Sequence, residues 1–281
     1  MADLLTEIKD ISRWIGIKPR HSQGQNFLVS EEIYDFIIQG ADLKKDDLVL
    51  EVGPGLGFLT TRLAQKVHQV IAVELDSKLA QYLQLGKEKA KLTNLEIVNQ
   101  DILKFNPLKY GLRDFNYKIV ANLPYNITSL FLRNFLTNSF RPQSLTLMLQ
   151  QEVVERIIAK TPQLSVLALS VQYYAQAKLL KIIKADNFWP KPKVNSALLQ
   201  LKLYKTPLSL EKDKQFFRLI KIGFSSKRKM LKNNLSSALK ISNSKLSEIF
   251  LQQSLSPNVR AQELSLQQWQ RLFAALAFFM I

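Results

Sequence analysis

Between residues 48 and 149 five short, mostly apolar runs recur, each separated from the next by a longer stretch with helical spacing. They are Leu48–Val52, Val70–Val73, Leu95–Val98, Lys118–Ala121 and Leu145–Leu149. A strand with one wet face alternates apolar and polar residues, whereas a run apolar at both parities must be covered on both faces. Helices interleaved with such strands supply that cover, so the pattern predicts an α/β fold built on a mainly parallel, Rossmann-like sheet. Two later runs, Leu179–Ile183 and Ala197–Tyr204, are expected to close the sheet. Ser30, followed by Glu31 and Glu32, predicts a helix start: the hydroxyl caps free amides and the acids face the positive end of the dipole.

After Tyr204 the strand pattern ends. Phe216, Phe217, Leu219 and Ile220, then Leu231, Leu235 and Leu239, carry only helical spacing. The expected division is a first domain over residues 1–205 and a small all-helical domain over 206–281, joined at Lys205-Thr206-Pro207. Charge follows the same boundary. The chain carries a net charge of +16, and the segment from Lys178 to Lys232 holds 15 basic and 3 acidic residues, hence +12 of that total. Positive charge gathered in one stretch attracts polyanions, and nucleic acid is the commonest soluble one.

The 281 residues contain no cysteine, which removes disulfides, thiolate zinc sites and cysteine nucleophiles. Two histidines, His21 and His68, do not make a histidine-rich metal site, so no metal is expected. The amphipathic stretch Met1–Trp14 carries Asp3, Glu7 and Asp10, unlike a signal peptide. The longest apolar run, Leu272–Ile281, is about half of what a bilayer requires. A soluble, cytoplasmic protein with no membrane partner is expected.

The first run leads into Glu51-Val52-Gly53-Pro54-Gly55-Leu56-Gly57. Glycines let the backbone turn sharply and approach a ligand closely. A dinucleotide fingerprint wants glycine three positions after Gly55, where Phe58 stands. An acid followed by Gly-x-Gly-x-Gly instead suits a smaller nucleoside cofactor without a pyrophosphate. Glu74, ending the second run, is placed to accept hydrogen bonds from ribose hydroxyls. Asp101, after the third, is placed to accept from an adenine amine. Both stand where α/β sheets bind ligands.

Asn122-Leu123-Pro124-Tyr125 follows the fourth run. A nucleobase amine is a poor nucleophile because its lone pair is delocalised into the ring. Two acceptors on its hydrogens draw the nitrogen toward tetrahedral geometry and localise that pair. Asn122 offers a side-chain carbonyl. Pro124 biases Leu123 toward an extended conformation that can aim its backbone carbonyl at the same amine. Tyr125 offers a flat face for an extruded base. Further on, the loop Asn187–Ser196 mixes aromatics, prolines and lysines, and Phe188 is expected to clamp the other face of that base.

These stretches resemble the ribosomal RNA adenine N6-dimethyltransferases, most closely the bacterial small-subunit branch known as the kasugamycin-sensitivity methyltransferases. The similarity extends to Gln23-Gly24-Gln25-Asn26-Phe27-Leu28, Val73–Asp76, Gln151–Arg156, Phe188–Ser196, Gly223–Leu235 and Arg260–Ser265, and runs from about Pro19 to near the end. The chain departs from the family at Thr161-Pro162-Gln163, where a glycine is usual. The resemblance implies a class I methyltransferase domain with a helical RNA-contacting domain. It implies S-adenosyl-L-methionine as cofactor, held by Asn26, Leu28, Gly53, Gly55, Glu74, Asp101 and Asn122. The implied reaction places two methyls on each of two adjacent adenosines near the 3′ end of small-subunit (16S) rRNA, the partner being that rRNA or an immature small subunit. A monomer is expected. Two alternatives stay open: a non-catalytic ribosome-assembly factor, and a large-subunit rRNA methyltransferase of the macrolide-resistance type.

Overall fold

Burial decides where the strands lie: Val49, Leu50, Val70, Ile71, Ala72, Ile119, Val120, Leu145 and Leu147 are wholly inaccessible, and none of them has a wet face. In the computed structural model, which describes residues 3–19, 25–205 and 209–279, these residues form the centre of a seven-stranded sheet. In chain order the elements are α1 (Leu4–Trp14), β1 (Phe27–Leu28), α2 (Glu31–Gly40), β2 (Leu48–Val52), α3 (Phe58–Ala64), β3 (Gln69–Glu74), α4 (Ser77–Lys89) and β4 (Leu95–Asn99). There follow β5 (Tyr117–Asn122), α5 (Thr128–Thr137), β6 (Ser144–Gln150), α6 (Gln151–Ile158), α7 (Val166–Tyr174), β7 (Ala175–Ile183), β8 (Phe188–Trp189) and β9 (Ser196–Leu203). The last helices are α8 (Leu210–Gly223), α9 (Leu231–Leu239), α10 (Asn243–Gln252) and α11 (Leu266–Leu276).

The sheet order is β4-β3-β2-β5-β6-β9-β7. The first five strands in that order are parallel, and β9 and β7 add antiparallel pairs. Ser30 caps α2 as expected, its hydroxyl accepting from the Ile33 amide. β7 begins at Ala175, ahead of the expected Leu179. It is an edge strand in which Gln176 and Lys178 are exposed, so its polar outer positions hide its start in the sequence. Below the sheet, Lys118 pairs with Asp47 at 2.8 Å with both side chains nearly buried, an anchor between β5 and the turn before β2.

The chain divides into two compact units. One comprises residues up to Val154 together with Ala175–Lys205; the other comprises Glu155–Tyr174 together with the chain after Lys205. The second unit thus takes in a segment, 155–174, that the sequence placed in the first domain. Its helix α7 is apolar on most sides, so nothing in its pattern distinguishes a sheet-covering helix from one that joins another core. In the second unit the hydroxyls of Tyr173 and Tyr174 both donate to buried Asp213, at 2.8 and 3.0 Å, and α7 contributes Ala168 and Leu169 to the core around Phe216, Leu235 and Trp269. Thr206 and Pro207, expected as the connector, lie outside the described residues.

Gly223 ends α8 against the Trp269 ring. Helix propensity alone favours alanine there by about 1 kcal/mol. An added Cβ would stand 2.4 Å from Trp269 Cη2 and 2.9 Å from Leu231 Cδ1, both residues wholly buried. Overpacking of that kind costs about 1–3 kcal/mol, so Gly223→Ala is expected to destabilise the second unit in urea unfolding; a gain in stability would show the contact to be slack.

Candidate active site

β2 has β3 on one side and β5 on the other, so the chain reverses its direction of travel across the sheet at this strand. In parallel sheets the crevice beyond the C-terminal strand ends at such a point is where ligands bind. Gly53 follows β2, Glu74 ends β3 and Asn122 ends β5, all at that edge. A cavity of about 430 Å³ opens among them, within the range of small-molecule sites.

The glycine turn is tied to the neighbouring strand at two points. Gly53 N–H donates to the Val73 carbonyl at 3.0 Å, and Gly55 N–H donates to Glu74 Oε2 at 3.1 Å. Gly55 has φ 59°, and a Cβ there would lie 3.3 Å from the Phe27 ring. Both the left-handed backbone and the close ring exclude a side chain. Asp76 N–H donates to the other oxygen, Glu74 Oε1, at 3.0 Å. The Glu74 carboxylate is therefore oriented by an amide on each oxygen, and each oxygen keeps a second lone pair. Burial pushes its pKa up, and these two amides work against that shift. Asn99 steadies the same strand end, its amide donating to the carbonyls of Glu74 and Leu75 at 2.9 and 3.2 Å.

Glu51 lines the same cavity with 1% of its surface exposed, and its Oε2 has no hydrogen-bond partner among the described residues. Burial raises its pKa to about 8, with the charge of Glu74 adding to the rise. The Thr60 hydroxyl beside it pulls the other way, short of hydrogen-bond geometry.

On the far wall the Asn122 amide nitrogen donates to the Asn26 carbonyl at 3.4 Å, which fixes the side chain's rotation. Pro124 lines the cavity in an extended conformation. Leu123 is buried, its N–H donating to the Met148 carbonyl at 3.2 Å, and it does not line the cavity. The backbone of Tyr125 opens a short 3₁₀ turn; its side chain lies outside the described residues.

The segments around Asn26 and Phe188, which nothing in the sequence connects, are two strands of one ribbon. β1 and β8 pair antiparallel, Phe27 opposite Trp189 and Leu28 opposite Phe188, and the Phe27 and Trp189 rings stack at 6.4 Å. Phe27 and Leu28 thereby reach the cavity. Phe188, expected to clamp the base, is 4% exposed, packs into the core beside Leu28 and does not line this cavity. Asp101 also stands back from the cavity and caps the turn Ile102–Lys104, accepting from Leu103 N–H at 2.9 Å. Gln23 and Gly24 lie outside the described residues. Met148 and Tyr34 line the cavity too, and only the fold reveals them, since each is one apolar residue among many in its element.

The electrostatics of this wall run against those of the whole chain. Among the described residues its acidic side chains are Glu51, Glu74 and Asp76, and its one lysine, Lys78, donates to the Gly16 carbonyl at 3.1 Å. Such a wall suits a nucleoside bearing positive charge and opposes a pyrophosphate. The orphaned oxygen of Glu51 marks the same preference.

Residues 16–277 match the family model described as ribosomal RNA adenine dimethylase. The chain belongs to this family. It is an enzyme, and S-adenosyl-L-methionine, which fits the acidic wall, is its methyl donor. The dimethylase is 39% identical over 271 residues to the ribosomal RNA small subunit methyltransferase A of Dehalococcoides mccartyi, covering 96% of this chain and 92% of the relative. It is 36% identical over 268 residues to the protein of the same name from Alkaliphilus oremlandii, with 93% of each chain covered. Among solved structures, a dimethyladenosine transferase from Plasmodium falciparum shares the fold with a TM-score of 0.76 at 23% identity, over 91% of this chain and 98% of that one. The 23S rRNA methyltransferase ErmE does so with a TM-score of 0.73 at 24% identity, over 90% of this chain and all of that one.

Glu51 gives the fold a pH dependence of definite sign. Unfolded, the carboxyl titrates near 4.5; folded, near 8. Between those values the native state binds the extra proton, so stability is expected to fall as pH rises through that window. Urea unfolding of the cofactor-free dimethylase across pH 5 to 8 checks this, and the fall should shrink in Glu51→Gln.

Proposed function

We propose that the dimethylase methylates N6 of two adjacent adenosines near the 3′ end of small-subunit rRNA, giving N6,N6-dimethyladenosine, during assembly of the small subunit. What carries this reading is the placement of Asn122-Leu123-Pro124-Tyr125 at the end of β5, across the cavity from the Glu74 carboxylate. The names of relatives at 39% and 36% identity over nearly the whole chain point to the small subunit.

Asn26, Leu28, Gly53, Gly55 and Glu74 would hold the cofactor, Glu74 through the lone pairs its two amide bonds leave open. Asp101 would reach the adenine end once its capping turn adjusts. When bound, S-adenosyl-L-methionine supplies a methyl group on an electron-poor sulfur. The protein's own part is to prepare the acceptor. With its amide nitrogen committed to Asn26, Asn122 keeps its carbonyl oxygen as an acceptor for one hydrogen of the target amine. The Leu123 carbonyl is the candidate acceptor for the other, which leaves Pro124 to shape the turn and Tyr125 to stack on the base. Alignment then does more than basicity, because the methylated amine loses its proton readily afterwards.

RNA is gripped elsewhere. Between α8 and α9, Lys227, Arg228 and Lys229 are exposed on a loop that buried Asn234 staples, its amide donating to the Gly223 and Ser226 carbonyls at 2.6 and 3.1 Å. A rigid, exposed basic loop suits phosphate contacts. Among the described residues no helix is long and apolar enough to cross a membrane, and we place the enzyme in the cytoplasm, acting as a monomer on the immature subunit.

Incubation with S-adenosyl-L-methionine and separated ribosomal subunits, followed by mass spectrometry of the RNA, tests the assignment: two dimethyladenosines in small-subunit rRNA are expected. Methyl in large-subunit rRNA alone would favour the macrolide-resistance reaction, and none in either would favour an assembly factor. Asn122→Ala should slow single-turnover methyl transfer by about 10²-fold or more while calorimetry finds cofactor affinity little changed, and Glu74→Ala should weaken cofactor binding itself. Neutralising Lys227, Arg228 and Lys229 together should lower RNA affinity and flatten its salt dependence by about two to three units of log–log slope.

A further inference from the structure

The cavity wall contains a carboxyl group that the chemistry above leaves unused. Glu51 is 1% exposed, lines the cavity and has an oxygen with no hydrogen-bond partner among the described residues. Burying such a group is costly unless something relieves it. Glu74 faces it from β3 and adds like charge. Tyr34 faces it from α2, but the Tyr34 hydroxyl donates to the Leu28 carbonyl at 3.1 Å. Thr60 approaches from α3 without forming a hydrogen bond, and β5 sets Val120 opposite it. Farther round the cavity, Asp76 caps α4 and Lys78 binds the Gly16 carbonyl; Arg62 of α3 does not line the cavity and engages Glu31 and the Phe58 carbonyl. None of these basic groups is paired with Glu51.

We propose that the positively charged centre of bound S-adenosyl-L-methionine is the partner Glu51 lacks, and that Glu51 releases its proton to solvent as the cofactor binds. This rests on the placement of the cofactor in this cavity. Without a cation beside it, burial keeps the Glu51 carboxyl protonated up to about pH 8. A cation against the free oxygen favours the carboxylate. The O–H bond of the carboxyl breaks, the proton passes to buffer, and no bond of the cofactor changes. Glu51 thus contacts the cofactor directly, and its ionisation is coupled to loading. Below pH 8 each unit of acidity then costs affinity: cofactor binding should tighten about tenfold from pH 6 to pH 7 and level off above pH 8.

Isothermal titration calorimetry of the full-length enzyme at pH 6.5, in two buffers of different ionisation enthalpy, reads the proton directly. At that pH the cofactor's own amino group, with an ordinary pKa near 7.7–8.0, stays protonated. Nearly one proton should leave per cofactor bound by the wild type. Glu51→Gln should release almost none, and its affinity should be flat from pH 6 to pH 7. S-adenosylhomocysteine keeps the ammonium but lacks the sulfonium. Release with both ligands assigns the ammonium as partner, and release with S-adenosyl-L-methionine alone assigns the sulfonium; either supports the proposal. Wild-type binding with no buffer-dependent heat overturns it whether or not the variant folds, as does wild-type proton release by Glu51→Gln. Failure of the wild type to bind either ligand would instead overturn the cavity placement beneath it.

Discussion

The Gly55 amide on the Glu74 carboxylate is the contact on which the site depends. It ties the turn after β2 to the end of β3 and orients a buried acid with backbone groups. For that bond to exist Gly55 must sit in the left-handed region, Phe27 must be able to approach, and β2 and β3 must keep their parallel register. The rest of the cavity follows from it. The second amide, from Asp76, comes from the start of α4, and the Asn99 side chain clamps the same strand end from β4. Three consecutive strands are thus drawn together at one edge by hydrogen bonds to Glu74.

Most of this framework was legible in the sequence because the physics behind it is local. Four of the five parallel strands are buried on both faces and leave no polar parity, so their apolar runs stand out, while the edge strand β4 exposes Glu96 and Asn99; Ser30 caps the helix it precedes; an acid before a triple-glycine turn suits a cofactor without a pyrophosphate. What stayed hidden is long-range. No periodicity reveals that Phe27 pairs with Trp189, and so Phe188 looked like a free aromatic in a proline-rich loop when it is a packed strand residue. Asp101 shows the same limit from the other side. Its position after β4 was readable, but its use as a cap for the next turn depends on a conformation no spacing announces. The segment 155–174 has helical spacing, yet which core it joins is decided by partners such as Asp213 that come later in the chain.

Charge is partitioned in a manner that composition conceals. A chain with net +16 lines the cavity at its strand ends with three acidic side chains and carries its excess of lysine and arginine largely in 178–232. The two ligands of the reaction have opposite charge, one a small cation and the other a polyanion. A protein that spread its positive charge evenly would attract the RNA and repel the donor. Concentrating each sign on separate residues lets both bind with favourable electrostatics.

The pairing of β1 with β8 has a consequence for synthesis. Phe27 and Leu28 leave the ribosome early, but the strand that holds them, Phe188–Trp189, emerges only after the central parallel strands have been made. A nascent chain can therefore assemble the glycine turn and its acidic side chains while one wall of the cavity still hangs loose. The enzyme's assembly is timed by its own topology: the pocket is completed only when nearly all of the first unit has been translated, so a truncated product would carry the glycine motif without an enclosed site.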